Sequence, residues 1–356
     1  MKKLLSLCSL IFLFSCSNSE ENANPTPTPE PTFYRATDAS FIPLIESEGT
    51  VYKNNGVAED PIITLKNAGC NAIRIRLWHN PADGHSGFNE VKTFAQRIKQ
   101  AGLKVWITVH YSDTWADPGH QTKPAAWQSM DFNSLKNAVI SYTTQIVNEI
   151  QPDIIQIGND TNDGMLWPEG RLSTQENQYL QLVNAACGAV RSANPATKIM
   201  LHFAGLTGAD WYFGKVAQVD YDYIGLSYYP IWHGKSLVDV QNKMNTLGNL
   251  HNKKVMLAET SYPFTLGFDD FTNNVVGLNN QLIPGFDATP NGQRGFFSAI
   301  KNMVNQSPVG IGFCYWGAEW VAFRGPTATN GSSWENQALW DFDQNALPAM
   351  SVFNAN

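Results

Sequence analysis

The chain contains few cysteines and few basic residues, and each shortage argues against a class of protein. Its 356 residues include five cysteines, and no CxxC pair or cysteine–histidine spacing that would suggest a zinc site is present. The formal charge of −7 argues against a nucleic-acid partner, because such partners bind basic surfaces. No internal repeat is visible, and the length allows one large domain or two small ones.

Aromatic residues, in contrast, are abundant. The chain has 11 Trp and 12 Tyr, and 43% of its residues are hydrophobic. Trp and Tyr present flat apolar faces with a polar edge, which suit sugar rings as well as the cores of large proteins. The composition is therefore consistent with carbohydrate binding but does not require it.

The first 16 residues resemble a secretion signal. The segment MKKLLSLCSLIFLFSC begins with two lysines and continues with an apolar stretch too short to span a membrane as a mature helix. Its end, LFSC, resembles a bacterial lipoprotein signal, in which Cys16 becomes the lipidated N-terminus. The alternative is ordinary cleavage, with no role for Cys16.

We therefore predict a lipoprotein signal peptide at residues 1–15 and a disordered tether at residues 16–32, which are polar and rich in proline. Residues 33–356 form the folded domain. The predicted location is the cell surface or periplasm, with the lipid anchor in the outer membrane. The remaining cysteines lie in apolar or helical contexts, so we expect buried thiols and at most one disulfide from Cys70, Cys187 and Cys314.

Short apolar runs alternate with amphipathic stretches from residue 33 onward, which predicts a single (β/α)8 TIM barrel of the α/β class. Helical patterns cover residues 88–101, 133–150, 174–193 and 237–250. A doubly wound open sheet is the alternative, but it normally carries a glycine-rich phosphate turn after its first strand, and this chain has none. The predicted strands are FYRATDAS, NAIRIRLW, KVWITVHY, DIIQIGN, KIMLHFAG, YDYIGLSYY, KVMLAET and VGIGFCYWG.

Most of these strands begin apolar and end in polar or aromatic residues. The carboxyl ends of barrel strands converge on one face, where active sites lie, so we expect these residues to share a pocket. A single polar strand end usually only marks where a strand meets water, but seven of eight are hard to explain in that way. The residues are Arg74, Arg76, Trp78, His110, Tyr111, Asn159, Asp160, His202, Tyr228, Tyr229, Glu259 and Trp316.

Two carboxylates stand out among these residues, Asp160 after the fourth strand and Glu259 at the end of the seventh. Each alone is most simply explained as a solvated acid or an ion-pair partner. Together, across one pocket flanked by aromatic residues, they form the pair that glycoside hydrolysis requires. No metal-ligand spacing, serine–histidine–aspartate order or phosphate loop competes with them, so we predict no metal among the catalytic groups.

Long motifs of the chain resemble glycoside hydrolase family 53, the endo-β-1,4-galactanases. The resemblance implies a (β/α)8 catalytic domain over residues 33–356, no required cofactor, and hydrolysis of β-1,4-galactan or type I arabinogalactan with retention of configuration. We expect a monomer whose partners are this polysaccharide and galacto-oligosaccharides. The motifs are LWHNPADG, HYSDTWADPGHQTKPAAW, IGNDTNDGMLWPEG, AETSYPFT and WENQALWDFDQNALPA.

The resemblance also implies roles for three residues. Glu259 matches the nucleophile, and Asn159 matches the residue that binds the sugar 2-hydroxyl. Asp160 falls at the acid/base position, where the family pattern is Gly-Asn-Glu and this chain has Gly-Asn-Asp. The shorter side chain should widen the gap between the carboxyls, and a displacement of about 1 Å can lower the rate ~10²-fold. Asp163 and Glu169 lie nearby but do not occupy the family position.

Further candidates for substrate binding lie at strand ends and in neighbouring loops. The alternative for each is a purely structural residue at the rim of the barrel, with its polar groups already hydrogen-bonded. The segment at residues 267–274, GFDDFTNN, is rich in oxygen donors and is a calcium candidate, since some family members bind calcium near here. Its ligand spacing is incomplete. The substrate-binding candidates are Arg76, His110, Tyr111, Trp115, Trp167, Tyr228 and Trp316.

The sequence thus favours a surface-tethered endo-β-1,4-galactanase. Three explanations of Asp160 stay open: a slow enzyme, a backbone that compensates for the shorter side chain, or an aspartate that replaces an original glutamate. A barrel hydrolase of mannan or glucan is a second enzymatic reading, against which the long loop motifs argue. A third hypothesis is a galactan-binding lipoprotein in which Asp160 has impaired catalysis.

Overall fold

Eight parallel strands close into a barrel in the computed structural model, which describes residues 33–355. Each strand pairs with its neighbours along the chain, and the last pairs with the first. The strands are β1 (Tyr34–Asp38), β2 (Ala72–Leu77), β3 (Lys104–Val109), β4 (Ile154–Ile157), β5 (Lys198–Ala204), β6 (Tyr223–Ser227), β7 (Lys254–Thr260) and β8 (Gly310–Tyr315). The predicted barrel and all eight predicted strands are confirmed.

The strands are buried on both faces because one face lines the barrel and the other packs against helices. In β2 every residue is buried, and in β3 every residue after Lys104 is buried. The pairing of Arg74 with Trp106 and of Asp38 with Arg74 fixes which side chains share a level inside the barrel.

Nine α-helices lie in the described part of the chain, and the longer ones surround the barrel with one buried face each. Side-chain caps begin four of them, at Asp60, Asp131, Ser236 and Thr289. The helices are α1 (Ile42–Ser47), α2 (Pro61–Asn67), α3 (Phe88–Gln100), α4 (Phe132–Ile150), α5 (Glu176–Ala193), α6 (Ala209–Lys215), α7 (Pro230–His233), α8 (Leu237–His251) and α9 (Pro290–Gln306).

The barrel interior changes from apolar to polar along the strand direction. Its amino-terminal half is closed by a buried cluster that includes Tyr34, Trp106, Met200, Tyr223 and Met256. Charged and polar side chains follow this cluster, one or two inward-facing positions further along the strands. Water or a ligand reaches them from the open end of the barrel. The functional face is therefore the carboxyl end of the strands, as predicted.

The described residues also bear on the cysteine prediction. Cys70, Cys187 and Cys314 are buried and free, so none forms a disulfide. Within residues 33–355 no helix is long and apolar enough to cross a membrane. The predicted signal peptide, Cys16 and the tether lie outside the described residues.

Candidate active site

A cavity of about 470 Å³ opens at the carboxyl end of the barrel. It holds both predicted carboxylates and most of the predicted sugar contacts. Its lining includes Asp38, Arg74, Arg76, His110, Trp115, Asp117, Asn159, Asp160, Tyr229, Trp232, His233, Glu259, Trp316, Trp320 and Trp334.

Glu259 is held by its carboxylate. Its Oε1 accepts a hydrogen bond from Arg74 Nη2 at 2.7 Å, and its Oε2 accepts one from the Tyr229 hydroxyl at 2.9 Å. Burial raises the pKa of Glu259, while the Arg74 charge and the Tyr229 hydroxyl act to lower it. Both oxygens are thus fixed, and the carboxylate has two donors that favour its ionised form.

Arg74 links the charged groups beneath the cavity. Its guanidinium contacts Asp38 Oδ2 at 2.8 Å and Asn159 Oδ1 at 3.0 Å in addition to Glu259, and it lies 5.5 Å from the centre of the Trp106 ring. Because Arg74 and both carboxylates are buried, removing the cation would leave two negative charges without compensation.

Asp160 is held quite differently, because no hydrogen bond reaches the buried oxygen of its carboxyl group. Oδ1 is buried without a partner, and the nearest ring nitrogen, His202 Nδ1, lies 3.3 Å away. Burial and the charge of Glu259 raise the pKa of Asp160 well above its ordinary value. A carboxyl group in this environment retains its proton at higher pH, as a general acid must.

The two carboxyls are close. One oxygen of Asp160 and one of Glu259 lie within 4.8 Å of each other, and His202 Nδ1 or Nε2 lies within the same distance of both. This closest approach of two oxygen atoms is compatible with the ~5–5.5 Å between the carboxyls of retaining enzymes and is below the ~6.5–9.5 Å that leaves room for water in inverting enzymes.

The same three side chains have the spacing of metal ligands, but their bonds do not suit a cation. Glu259 already bonds the Arg74 guanidinium, and His202 Nδ1 accepts the backbone N–H of Asp160 at 3.2 Å. Two of the three donor groups are thus committed elsewhere.

Tryptophan rings form one wall of the cavity. Trp316 lies 6.2 Å from Trp115 and 4.8 Å from Trp334, measured between ring centres. Trp232, on α7, is 55% exposed and lies 6.0 Å from Trp334, so the aromatic surface continues beyond the carboxylates. Such a surface can stack successive sugar rings.

Arg76 and His110 also line the cavity, as predicted from their positions at strand ends. The Arg76 guanidinium lies 4.3 to 4.5 Å from the rings of Phe41, Trp78 and Trp115, and burial lowers its pKa to about 10. His110 Nδ1 accepts the N–H of Ala116 at 3.0 Å, and burial lowers its pKa well below the ordinary value.

Three predicted substrate contacts do not line this cavity. The Tyr111 hydroxyl bonds Thr143 within the core, and the Tyr228 hydroxyl donates to the carbonyl of Gly234. The Trp167 indole donates to the carbonyl of Asp163 and stacks on a neighbouring arginine. These residues pack the structure around the site, and we assign them no further role in substrate contact.

The alternative acids are also engaged elsewhere. Asp163 accepts hydrogen bonds from Arg171 and Ser173, and Glu169 forms a 2.7 Å ion pair with the buried Lys123. Neither lines the cavity.

Sequence reasoning missed Arg74 and Tyr229 as hydrogen-bond partners of Glu259, although both stood among the strand-end residues. Arg74 and Arg76 share one face of β2, so both point into the barrel, and their spacing does not show which of them contacts Glu259. Tyr228 and Tyr229 follow the end of β6, where the pairing with β7 shifts register after Leu226, so alternation does not show which one faces inward.

The calcium candidate lies in the loop between β7 and β8. Asp270 Oδ2 and Asn274 Oδ1 of this loop, and Glu335 Oε2 from the segment after β8, are buried without hydrogen-bond partners. Burial raises the pKa of Glu335 to about 7. Unpartnered carboxylate and amide oxygens are the donors that Ca²⁺ prefers, so these side chains fit the ion in their chemistry.

A barrel of parallel strands with two close carboxylates in an aromatic cavity has the equipment of a glycoside hydrolase. The sequence profile of Glycosyl hydrolase family 53 matches residues 34–353. The chain belongs to this family and is a glycoside hydrolase.

Relatives with named activities or solved structures match nearly the whole chain. The arabinogalactan endo-β-1,4-galactanase of Cellvibrio japonicus is 36% identical over 346 residues, which cover 91% of each chain. A GH53 catalytic domain of Ignisphaera aggregans aligns with a TM-score of 0.85 and 36% identity over 93% of this chain and 98% of its own. A fungal β-1,4-galactanase aligns with a TM-score of 0.79 and 29% identity over 91% of this chain and 99% of its own.

Proposed function

We propose that this protein cleaves β-1,4-galactosidic linkages within galactan or type I arabinogalactan and retains the anomeric configuration. The observation that carries the proposal is the pair of close carboxyls, Asp160 and Glu259, with opposite environments. The substrate class follows from the relatives named as galactanases, among them the Cellvibrio japonicus enzyme.

In the first step, Glu259 attacks the anomeric carbon while Asp160 gives its proton to the glycosidic oxygen. The bond from the anomeric carbon to that oxygen breaks, and a bond to a Glu259 oxygen forms. Arg74 and Tyr229 hold the attacking carboxylate, and the raised pKa of Asp160 keeps a proton available.

In the second step, Asp160 acts as a base. It takes a proton from water, whose oxygen attacks the anomeric carbon and releases Glu259. Two inversions at one carbon give net retention. The separation within 4.8 Å supports direct attack by Glu259, because little space remains between the carboxyls for an interposed water.

We further propose that the aspartate attenuates this activity. The separation of the carboxyls is compatible with retention, so the deficit concerns the reach of Asp160 toward the glycosidic oxygen. The aspartate side chain is one methylene shorter than glutamate, so its carboxyl group reaches about 1.5 Å less far from the backbone. The alternative is a galactan-binding protein without useful turnover, and a barrel hydrolase of mannan or glucan is the alternative in substrate.

The decisive experiment incubates the purified protein with potato galactan and follows reducing ends, viscosity and oligosaccharide products. Endo action predicts that viscosity falls before many reducing ends appear, and proton NMR of the first products should show the β-anomer. Mannan and β-glucan serve as controls. Galactan binding without any cleavage would support the binding-protein alternative. Cleavage of mannan or glucan but not of galactan would contradict the proposed substrate.

The location is a separate proposal, which rests on the sequence of the first 16 residues. Lipidation of Cys16 would tether a monomeric catalytic domain to the outer membrane. The Cys16→Ser variant should move the protein from the membrane fraction to the soluble fraction. A variant that stays with membranes would contradict the anchor.

Calcium binding is also proposed, because two buried oxygens of the β7–β8 loop and one of Glu335, after β8, lack partners. Asp270, Asn274 and Glu335 would hold the ion, which would stabilise the loop without entering the chemistry. Adding CaCl₂ after EDTA treatment should raise the melting temperature of the wild type and not of Glu335→Gln. Equal melting temperatures with and without calcium would refute this.

A further inference from the structure

The backbone of Asp160 adopts a left-handed conformation, with φ of 47°. Non-glycine residues rarely do so, although aspartate is among the types that tolerate it. Such a conformation persists when surrounding contacts determine it, and at active sites it aims a side chain. The contacts that hold this conformation come from Gln121 and His202. Neither residue is hydrogen-bonded to the Asp160 carboxyl group.

Gln121 holds the carbonyl side of Asp160. Its Nε2 donates to the carbonyl oxygens of Asn159 at 2.8 Å, Asp160 at 3.2 Å and Asp117 at 3.1 Å. All three neighbours are acceptors, so the amide nitrogen must face them. Gln121 is buried, and its backbone carbonyl accepts the N–H of Trp167 at 2.7 Å, which ties the Gln121 backbone to the loop that follows Asp160.

His202 holds the amide side. Its Nδ1 accepts the N–H of Asp160, and its Nε2 lies 2.9 Å from the Ser227 hydroxyl. The Nδ1 lone pair is therefore occupied, which places the proton on Nε2 and leaves Nδ1 unable to donate to the Asp160 carboxyl. The carbonyl of His202 also accepts both the N–H and the hydroxyl of Thr161, at 3.1 and 2.8 Å.

We propose that Gln121 and His202 are positioning residues, which fix the backbone of Asp160 from both sides and thereby aim its carboxyl at the glycosidic oxygen. The contacts reach the peptide groups, and the buried carboxyl oxygen Oδ1 has no hydrogen-bond partner. This inference rests on the proposed function of Asp160 as the acid.

The test replaces Gln121 by methionine, which keeps the length of the side chain and removes its donors. The matched control is Gln128→Met in the same loop, where Nε2 donates to the carbonyl of Lys123 and not to Asp160. We expect Gln121→Met to lower kcat on galactan about 10- to 100-fold, as a displaced catalytic group does. The control should remain within about twofold of the wild type, and thermal unfolding shows whether both variants are folded.

A second substrate separates aiming of the acid from general damage. Cleavage of 2,4-dinitrophenyl β-galactobioside needs little protonation of its leaving group, so its kcat/KM should change much less in Gln121→Met. Parallel losses on both substrates, or equal activity of the two methionine variants on galactan, would overturn the inference. The His202→Leu variant repeats the test from the amide side.

A readout without turnover keeps the inference separate from the proposed function. Carbon-13 NMR of the aspartate carboxyls follows the titration of Asp160, assigned with Asp160→Asn. The midpoint should fall toward the ordinary value in Gln121→Met, because a released side chain gains solvent and moves away from Glu259. An unchanged midpoint would overturn the positioning role, whereas a wild type that cleaves no galactan would overturn only the proposed function.

Discussion

The two strand ends that carry the catalytic pair are built in opposite ways. At β7, Glu259 is held by its carboxylate, which accepts hydrogen bonds from Arg74 and Tyr229. After β4, Asp160 is held by its peptide groups, and its buried carboxyl oxygen has no partner. The proposed nucleophile is fixed at its carboxylate oxygens, and the proposed acid is fixed at its peptide groups.

This difference follows from what each carboxyl must do. A nucleophile has to be ionised, so donors to its oxygens help it. An acid that later acts as a base has to bind and release a proton, and donors to its carboxylate would hold it in one state. The contrast therefore supports the proposed roles of the two carboxyls.

The largest effect is expected at the nucleophile. Glu259→Gln keeps the shape of the side chain and removes the attacking charge, so hydrolysis of galactan should fall by about 10⁴-fold or more. Binding of galactan, measured by isothermal titration, should persist. Substantial turnover in this variant would mean that another carboxylate attacks.

Asp160 comes next, and its two variants should move in opposite directions. Asp160→Ala should lower kcat on galactan by about 10²- to 10⁴-fold, the usual contribution of a general acid. Asp160→Glu should raise it by about 10- to 10³-fold, because the fixed backbone leaves side-chain length to decide the reach. A decrease in Asp160→Glu would instead show that the backbone suits the shorter acid.

The adjacent residues Tyr228 and Tyr229 allow a matched test of the hydrogen bonds to Glu259 on β7. Tyr229→Phe removes one hydrogen bond to the Glu259 carboxylate, so kcat should fall about 10- to 100-fold, in line with ~1.5–3 kcal/mol for a bond to a charged group. Tyr228→Phe removes a bond to a backbone carbonyl outside the cavity and should leave kcat within about threefold. Equal losses in the two variants would remove the distinction drawn between them.

The smallest effect is on stability. Because the pKa of Asp160 is raised in the folded protein, its contribution is fully present below the unfolded value of ~3.9 and is lost as the pH rises through the folded value. Asp160→Asn should therefore raise the melting temperature at pH 8, by about 2 °C or more, relative to its effect at pH 4. Scanning calorimetry at both pH values measures this, and a larger gain at pH 4 would contradict the sign.

Much of this molecule could be predicted from local patterns in the sequence. The eight apolar runs that end in polar residues predicted both the barrel and the face that carries the site, because barrel strands all point their carboxyl ends to that face. Asp160, Glu259, Asn159, Arg76, His110 and Trp316 were placed together on this basis, and all of them line the cavity, as does Trp115 of the predicted loop motif.

Contacts between distant residues were decided only by the tertiary structure. Arg74 lies 185 positions from Glu259, and Gln121 lies 39 positions from Asp160, so no local spacing links them. The choice of Tyr229 over Tyr228 depended on a register shift between β6 and β7. The sequence determined which strand ends carry the chemistry, since periodicity is local. Only the closed barrel decided which neighbour touches each carboxyl, because that depends on depth, register and backbone conformation.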